Sequence, residues 1–378
     1  MYVCHVKLRN WKNFKEAEAD LRLRTFVIGP NASGKSNLLD AFRFLRDVAT
    51  DGLRKAVDDE RGGVSMIRCL AATRYSNIDI EMQLAERDQP IWTYRLSFNQ
   101  DNNRRPVVRE EVVKRHEKVI TQRPNEADER DPELLTQTAL EQISANQDFR
   151  EVAVFFKSIS YQHLLPQVVR DPRSFSPLPI QDDPFGRDFL LRLWRTPSKT
   201  RDSRLRKIAE ALRHAVPQLT DLSVEMDDTG APHLIGKYSH WRIHAAKQNE
   251  SQFSDGTLRL LGLLWTIFEG DGPLLLEEPE ISLHPEVVRQ LPAIFHRINR
   301  NRKTPRQIII STHSEEILRD PGIAPEEVLR LEPSAQGTLL RHADEADRQA
   351  MSAGLTAADV LMPKTAPANA HQMVLEFP

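Results

Sequence analysis

An eight-residue segment near the amino end of this 378-residue chain constrains the fold more than any other feature. It matches the pattern G-x-x-x-x-G-K-S, in which glycines let the backbone wrap around phosphate groups. The residues of this P-loop are Gly29, Pro30, Asn31, Ala32, Ser33, Gly34, Lys35 and Ser36. Residues 21–28 before it are predicted to form a strand, and apolar residues at helical spacing follow it over residues 38–45. This order of strand, loop and helix predicts an α/β fold.

The residue types of the P-loop fit a nucleoside triphosphate. The helix that begins near Lys35 points the positive end of its dipole at the bound phosphates. We expect the Lys35 side chain to neutralise the β- and γ-phosphates and the Ser36 hydroxyl to ligate magnesium. Asn37, the next residue, belongs to the expected nucleotide-binding set.

A second segment places two acidic residues at the end of an apolar strand. Residues 274–276 are leucines, and Glu277 and Glu278 follow them. Open α/β sheets bind ligands at such carboxyl edges. Because neighbouring side chains at a strand end point in opposite directions, we expect Glu277 to face the magnesium ion and Glu278 to activate the attacking water.

Two further segments complete the predicted site. An apolar strand over residues 307–310 is followed by His313, which can donate a hydrogen bond to a γ-phosphate oxygen. Before an apolar helix over residues 258–268, Ser254 has helix-capping chemistry and Gly256 permits close backbone approach. This second anion-binding helix start makes most sense if it meets the triphosphate bound by another copy of the chain.

These motifs, in this order, resemble the ABC-type ATPase heads of the SMC/RecF-like branch, and most closely the stand-alone ATPases related to the overcoming-lysogenization-defect (OLD) family. The matching phrases are KLRNWKNF, GPNASGKSNLLDAFRFL, FSDGTLRLLGLL, LLLEEPEISLHP and IIISTHS, which lie within residues 1–45 and 250–331. The resemblance implies an α/β P-loop ATPase head with a mixed and parallel sheet, an antiparallel β subdomain and a compact, mainly helical insertion. It also implies ATP and Mg²⁺ as cofactors.

The resemblance gives roles to individual residues. Ser254 and Gly256 would be the signature motif, which contacts ATP in trans within a homodimer or a higher homo-oligomer. Glu278 would be the catalytic base, and residues 282–284 would couple the two sites. The glutamine that senses magnesium would be Gln167, with Gln162 as the alternative.

Two residues depart from the family pattern. Glu277 stands where the magnesium-side residue is usually aspartate. Asp255 stands where ABC transporters have glycine, and it places a negative charge near a phosphate. This charge predicts weak or conditional closure of the dimer. It also keeps a further alternative, in which the head binds ATP and does not hydrolyse it.

Composition narrows the possible partners and the compartment. With 52 basic and 54 acidic residues the net charge is −2, so a nucleic acid contact would need a local basic patch. Cys4 and Cys69 are too few for a disulfide framework and fit a reducing compartment. The charged amino terminus is not a signal peptide, and no apolar stretch approaches the length of about 20 residues that spans a bilayer. We expect a cytoplasmic protein with no membrane segment.

Four regions are predicted along the chain. Residues 1–120 form the first half of the ATPase lobe, with the P-loop and antiparallel strands. Residues 121–250 hold a solvated linker, over 121–133, and a mainly helical insertion. Residues 251–332 form the second half of the lobe, with the signature, the acidic strand end and the histidine, and residues 333–378 form a tail.

The motifs together predict a magnesium-dependent ATPase that closes as an ATP-sandwich dimer. By resemblance, it is a sensor or scaffold subunit of a prokaryotic anti-phage defence system. Its effector, a nuclease or toxin, would be a separate protein, because the residues after His313 are too few for a nuclease domain of about 100 residues. The alternative is a RecF-like, ATP-gated DNA clamp in repair.

One local cluster of cations could serve such a clamp. It is interleaved with Trp194 and contains a single acid, Asp202. The pattern is found on nucleic-acid-binding surfaces, and it is also found on ordinary solvated helix faces. The cations are Arg192, Arg195, Lys199, Arg201, Arg204, Arg206 and Lys207.

Overall fold

The computed structural model describes residues 1–71, 75–170, 183–239 and 246–366. They group into two compact units. Unit 1 contains the described residues of Met1–Ser160, Asp271–Leu275 and Thr304–Pro378. Unit 2 contains those of Tyr161–Gly270 and Leu276–Lys303. No helix in the described ranges is long and apolar enough to cross a membrane.

Unit 1 contains a six-stranded antiparallel sheet in the order β2-β1-β4-β5-β6-β7. Its strands are β1 (Tyr2–Trp11), β2 (Phe14–Asp20), β4 (Ile78–Glu86), β5 (Gln89–Gln100), β6 (Pro106–Arg115) and β7 (Lys118–Arg123). Apolar residues alternate along β4 and β5, which places Met82 opposite Tyr94, both fully buried. The two strands turn at Arg87 and Asp88, whose φ angles of 47° and 63° suit a tight hairpin.

A second six-stranded sheet carries the predicted nucleotide-binding motifs, in the order β15-β14-β3-β13-β12-β8. The strands are β3 (Arg24–Ile28), β8 (Ser160–Gln162), β12 (Leu274–Glu277), β13 (Ile308–Ser311), β14 (Val328–Ser334) and β15 (Gly337–His342). Strands β14, β3 and β13 are parallel, and β15 is antiparallel to β14. β8 and β12 each begin in unit 1 and end in unit 2.

Eight α-helices are described in unit 1. They are α1 (Lys35–Asp51), α2 (Leu53–Arg61), α3 (Val64–Ile67), α4 (Glu126–Arg130), α5 (Arg150–Lys157), α12 (Glu315–Leu318), α13 (Glu345–Ser352) and α14 (Ala357–Leu361). The apolar stripe of α1 is fully buried, as its helical spacing predicts. From the same helix, Phe44 lies 5.2 Å from Trp11 and 5.2 Å from Phe98 between ring centroids, which ties α1 to the antiparallel sheet.

Residues 121–133 form regular structure where their composition predicts a solvated linker. β7 extends to Arg123, and α4 follows it. Arg123 is buried between Asp128, at 2.6 Å, and Glu111, at 3.5 Å. The charges can be buried because they pair with one another, and composition alone does not reveal such pairing.

Unit 2 consists of helices around a small antiparallel sheet of order β11-β10-β9. Its elements are α6 (Pro166–Arg170), α7 (Phe189–Arg195), α8 (Ser198–Leu212), β9 (Leu219–Met226), β10 (Pro232–Tyr238), β11 (Ala246–Asn249), α9 (Asp255–Phe268), α10 (Pro285–Val288) and α11 (Leu291–Arg300). The hairpin of β9 and β10 turns at residues 227–231. Helix α9 is buried along nearly its whole length and forms the core of the unit.

Candidate functional site

In unit 1, the P-loop and His313 follow neighbouring parallel strands. β3 ends at Ile28 and leads into the P-loop, while β13 ends at Ser311. Ser311 is paired with Val27, and the next residue donates its backbone N–H to Val27 O at 3.1 Å. Both motifs therefore lie at the carboxyl edge of the same parallel strands, where α/β sheets bind ligands. This is the placement that the sequence predicts.

The two glycines of the P-loop are required by its backbone. Gly34 has a φ of 98°, and a Cβ there would lie 2.0 Å from Asn13 Nδ2. Gly29 has a φ of 155°, and a Cβ there would lie 2.7 Å from Ser33 Oγ and 2.8 Å from Leu331 O. Any side chain would both strain the backbone and collide with neighbouring atoms.

A set of side-chain hydrogen bonds holds the P-loop in this shape. Asn13 Nδ2 donates to Ser33 O at 2.8 Å and to Thr338 Oγ1 at 2.7 Å. The Thr338 hydroxyl donates to the same Ser33 carbonyl at 2.9 Å, and Asn37 Nδ2 donates to Asn13 Oδ1 at 2.8 Å. Neither Asn13 nor Thr338 is predicted from the sequence as a residue of the site. An asparagine in a tight turn gives only a turn signal, and Thr338 gives none.

The P-loop offers the kinds of hydrogen-bond donor that bind a phosphate chain. Helix α1 begins at Lys35 after Gly34, which has no side chain with which to cap the first backbone N–H groups, and its first turn carries no acidic residue. Ser36, in the same turn, is exposed. Lys35 Nζ lies over the loop, bonded to Gly29 O at 3.0 Å and Pro30 O at 3.1 Å. The cradle therefore combines backbone donors, a cation and a hydroxyl.

A cavity of about 670 Å³ lies beside this cradle within unit 1. Asn13 and Asn37 line it together with the side chains of Lys12, Met66 and Arg68. Its volume is in the range of sites that hold small molecules, and it offers apolar, amide and cationic groups.

In unit 2, the loop of residues 277–282, here called the acidic loop, follows β12. The Tyr161 hydroxyl donates to Glu277 Oε2, and His163 Nδ1 lies 3.2 Å from the Glu277 carbonyl oxygen. Glu278 is half-buried and has a φ of 43°, in the left-handed region that non-glycine residues rarely adopt. Tyr161 was missed because β8 is only three residues long and has no pattern of its own.

The predicted signature begins helix α9. Ser254 caps the helix, because its Oγ accepts the Thr257 N–H at 3.1 Å. A Cβ on Gly256 would lie 2.6 Å from Ser282 O, so glycine is needed where the helix start approaches the acidic loop. Helix α10 then begins at Pro285, a residue that suits the first position of a helix.

The charge of Asp255 is balanced within unit 2. Arg170 Nη2 lies 2.6 Å from Asp255 Oδ1, and Gln167 Nε2 donates to Asp255 Oδ2 at 3.0 Å. The sequence predicts weak or conditional closure from this carboxylate, which places a negative charge near a phosphate. The ion pair with Arg170 reduces the repulsion, and conditional closure stays a prediction.

The two candidate glutamines have different surroundings. Gln167 is exposed in α6 and is bonded to Asp255. Gln162 is buried at the end of β8, and its Oε1 has no hydrogen-bond partner among the described residues. The magnesium role of Gln167 stays a prediction.

Four of the seven cations in the basic cluster have partners inside unit 2. Arg192 Nη1 lies 3.1 Å from Glu269 Oε2, and the guanidiniums of Arg201 and Arg204 lie 5.0 and 5.4 Å from the ring centroids of Trp194 and Trp265. Lys207 Nζ lies 5.9 Å from the ring centroid of Phe268. Four cations of the cluster, Lys207 among them, are exposed on α7 and α8. They are Arg195, Lys199, Arg206 and Lys207.

The fold and its motifs define the protein as an ABC-type P-loop ATPase of the SMC/RecF-like branch. The chain belongs to the family described as "AAA domain, putative AbiEii toxin, Type IV TA system", which matches residues 24–319. The resemblance to ABC-type ATPase heads of the SMC/RecF-like branch and the α/β fold expected from it are confirmed, and the closer relationship to OLD-family ATPases stays a prediction.

Solved structures share the fold. An SMC head bound to the C-winged helix domain of ScpA has a TM-score of 0.54 and 14% identity, over 93% of this chain and 100% of that chain. An SMC head with an extended coiled coil, bound to the C-terminal domain of ScpA derived from Pyrococcus furiosus, has a TM-score of 0.53 and 12% identity, over 93% and 98%. At this identity the likeness shows the fold.

A curated relative matches more locally. The DNA replication and repair protein RecF of Picosynechococcus sp. is 32% identical over 87 residues. The match covers 22% of this chain and 22% of that relative, so the chain spans about a fifth of its length.

Proposed function

We propose that the protein binds and hydrolyses ATP with magnesium. The observation that carries the proposal is the P-loop, which is held open by obligate glycines at Gly29 and Gly34 and ends in the uncapped start of a 17-residue helix. Such a cradle has few uses other than binding a phosphate chain. Membership of an ATPase family supports the same function.

Each motif has one task in this proposal. The P-loop backbone and Lys35 bind the β- and γ-phosphates, and His313 donates a hydrogen bond to the γ-phosphate. Glu278 accepts a proton from the attacking water. Ser36, Glu277 and Gln167 would hold magnesium, which would supply positive charge to the phosphates when bound.

The cavity beside Asn13 and Asn37 is the proposed site of the nucleoside. Its volume of about 670 Å³ suits a purine and its ribose, and its wall includes the Asn37 amide, a type of group that can hydrogen bond to a base. Competition by ATP, GTP and inorganic triphosphate against a fluorescent ATP analogue would measure how much affinity comes from the nucleoside.

We further propose that two copies close around two ATP molecules. Ser254 and Gly256 lie at the start of α9, which is capped by a serine and has a glycine in its first turn. Among the long helices described in unit 2, α9 alone has both features. Its start can bind a phosphate from a second copy. Light-scattering mass would be measured for the wild type and Glu278→Gln, with and without ATP and magnesium. A larger ATP-dependent mass in the variant supports the dimer, and a monomer mass in every condition rejects it.

The proposed biological role is that of a sensor or scaffold ATPase in prokaryotic defence, with a separate nuclease or toxin as effector. The family description, which includes a putative toxin of a type IV toxin–antitoxin system, supports this setting. Such a role belongs in the cytoplasm, where Cys4 and Cys69 stay reduced. Purification of the ATP-bound Glu278→Gln variant from its native cell would recover the effector, and recovery of the protein alone would count against the role.

A second candidate function is an ATP-gated DNA clamp. The four exposed cations on α7 and α8 favour it, and so does the local match to RecF. Charge reversal of Arg195, Lys199 and Arg206 to Glu would abolish salt-dependent DNA binding if this surface holds DNA. Unchanged binding by that variant would exclude the surface.

A further inference from the structure

Arg259 links helix α9 to the acidic loop inside unit 2. It lies in the second turn of α9 and is only 5% exposed. Its Nη2 donates to the backbone carbonyl oxygen of Glu278 at 3.3 Å. The signature helix and the proposed catalytic base are thus joined by one side chain.

The carbonyl that Arg259 contacts belongs to a strained part of the chain. Glu278 has a φ of 43°, and Ser282 at the other end of the acidic loop has a φ of 64°. Ile281 N–H also donates to Glu278 O, at 3.3 Å, and closes a turn. Non-glycine residues persist in such conformations only where the surroundings hold them, and such strain is common at functional sites.

The second contact between α9 and the acidic loop leaves no room for adjustment. The missing side chain of Gly256 allows Ser282 O to approach within 2.6 Å of where a Cβ would lie. Gly256 and Arg259 are one turn apart on α9, so the helix touches both ends of the loop. Together they fix the loop against the helix.

The chemistry of Arg259 suits a fixed, buried cation. A buried guanidinium is costly unless carboxylates and acceptors surround it. Burial lowers the pKa of Arg259, and the negative charges of Glu280, Glu278 and Asp255 oppose that shift. A cation whose burial costs free energy therefore lies against the loop that carries the proposed base.

We propose that Arg259 is a positioning residue, which holds the Glu278 peptide so that the Glu278 carboxylate is oriented for attack by water on the γ-phosphate. The inference rests on the proposed ATPase function. In this proposal Arg259 does not contact the nucleotide. Its loss should therefore slow turnover and leave ATP binding unchanged.

The first test compares three variants in steady-state hydrolysis. Arg259→Met keeps the apolar stem and removes the guanidinium, Arg259→Lys keeps a donor, and Arg54→Met removes an exposed cation of unit 1 as the control. Arg259→Met should lower kcat by about 10- to 100-fold with KM unchanged, because a small misplacement of a catalytic group costs that much. Arg259→Lys should recover part of the loss. An unchanged kcat in Arg259→Met would overturn the proposal.

A double variant tests whether Arg259 acts through Glu278. If it does, Arg259→Met should cause no further loss in the Glu278→Gln background, because the base is already absent. A second loss of the same size as in the wild type would show an independent, structural effect and would overturn the proposal.

Hydrogen exchange without nucleotide keeps the test independent of ATPase activity. In Arg259→Met, the backbone amides of residues 280–284 should exchange faster than in the wild type, while those of unit 1 keep their protection. Equal protection in both proteins would overturn the positioning role. If the wild type hydrolyses no ATP, the proposed function fails, and the exchange result still decides whether Arg259 holds the loop.

Discussion

The P-loop of unit 1 and the acidic loop of unit 2 reach left-handed backbone conformations by different means. In the P-loop, Gly29 and Gly34 take φ angles of 155° and 98°, and Ala32 takes 60°. In the acidic loop, both left-handed residues, Glu278 at 43° and Ser282 at 64°, carry side chains. Glycine adopts these angles freely, whereas other residues lose roughly 1–2 kcal/mol each.

The difference separates two ways of building a site. The P-loop is shaped by its own glycines and then pinned by Asn13 and Thr338. The acidic loop stores strain that Arg259 and the approach of Gly256 must oppose. We therefore expect changes in the P-loop to weaken nucleotide binding and changes around the acidic loop to slow turnover with binding intact.

The largest expected effect is at Glu278. Glu278→Gln removes the proposed base while keeping its shape, so turnover should fall by about 10²- to 10⁴-fold with ATP affinity unchanged. A phosphate-release assay and equilibrium binding of a fluorescent ATP analogue would measure the two quantities. Glu210→Gln, at an exposed position of α8, is the matched control. A parallel loss of affinity in Glu278→Gln would break the separation between the two loops.

A change at Lys35 should weaken ATP binding, in contrast to the change at Glu278, which should slow turnover. Lys35→Ala removes the cation that lies over the P-loop carbonyls, and ATP affinity should fall by about 100-fold because a hydrogen bond to a charged group is lost. Titration with the same fluorescent analogue measures the affinity. Lys55→Ala, at an exposed position of α2, should bind normally. Normal ATP binding by Lys35→Ala would argue against the P-loop as the phosphate site.

Asn13 tests whether the P-loop depends on support from outside its own sequence. Asn13→Ala deletes the donor to Ser33 O and Thr338, and ATP affinity should fall by about tenfold, a loss typical of one or two hydrogen bonds. Isothermal titration with ATP would measure it. Lys15→Ala, which loses only an exposed contact with Gln336 at 3.3 Å, is the control. Equal affinities of the two variants would mean that the glycines alone shape the loop.

The smallest expected effect is on thermal stability and concerns His233, which contacts Glu250 in the segment before the signature. His233 lies 2.7 Å from Glu250 and 3.2 Å from Asp227, and these hydrogen bonds raise its pKa above the ordinary value of 6.5. The stabilisation is complete below pH 6.5 and is lost as the pH rises through the raised pKa. His233→Gln should therefore lower the Tm by about 2 °C at pH 6 and by less at pH 9. A larger loss of Tm at pH 9 than at pH 6 would show that the charged form of His233 does not provide the stabilisation.

Several parts of the fold could be predicted from local patterns. The helical spacing after the P-loop predicts α1, the alternation over residues 78–98 predicts β4 and β5, and the apolar runs that end at Glu277 and His313 predict β12 and β13. Each of these signals depends on neighbours along the chain. The family resemblance extended them to the whole head.

Other parts depended on pairing between side chains that the sequence pattern does not show. Residues 121–133 read as a linker, because the pairing of Arg123 with Glu111 and Asp128 is invisible in composition. The sequence shows the negative charge of Asp255 and not its pairing with Arg170, which is far away along the chain. In both cases the sequence shows a charge but not its partner.

The sequence by itself determined the P-loop, the order of strands and helices around it, and the residue types that can bind a phosphate chain. Glycine positions and apolar periodicity are local properties, so they can be recognised without a structure. Only the tertiary structure decided that Asn13 and Thr338 hold the P-loop and that Arg259 holds Glu278. These contacts join segments that are remote along the chain, and their geometry exists only after the sheets and helices have packed.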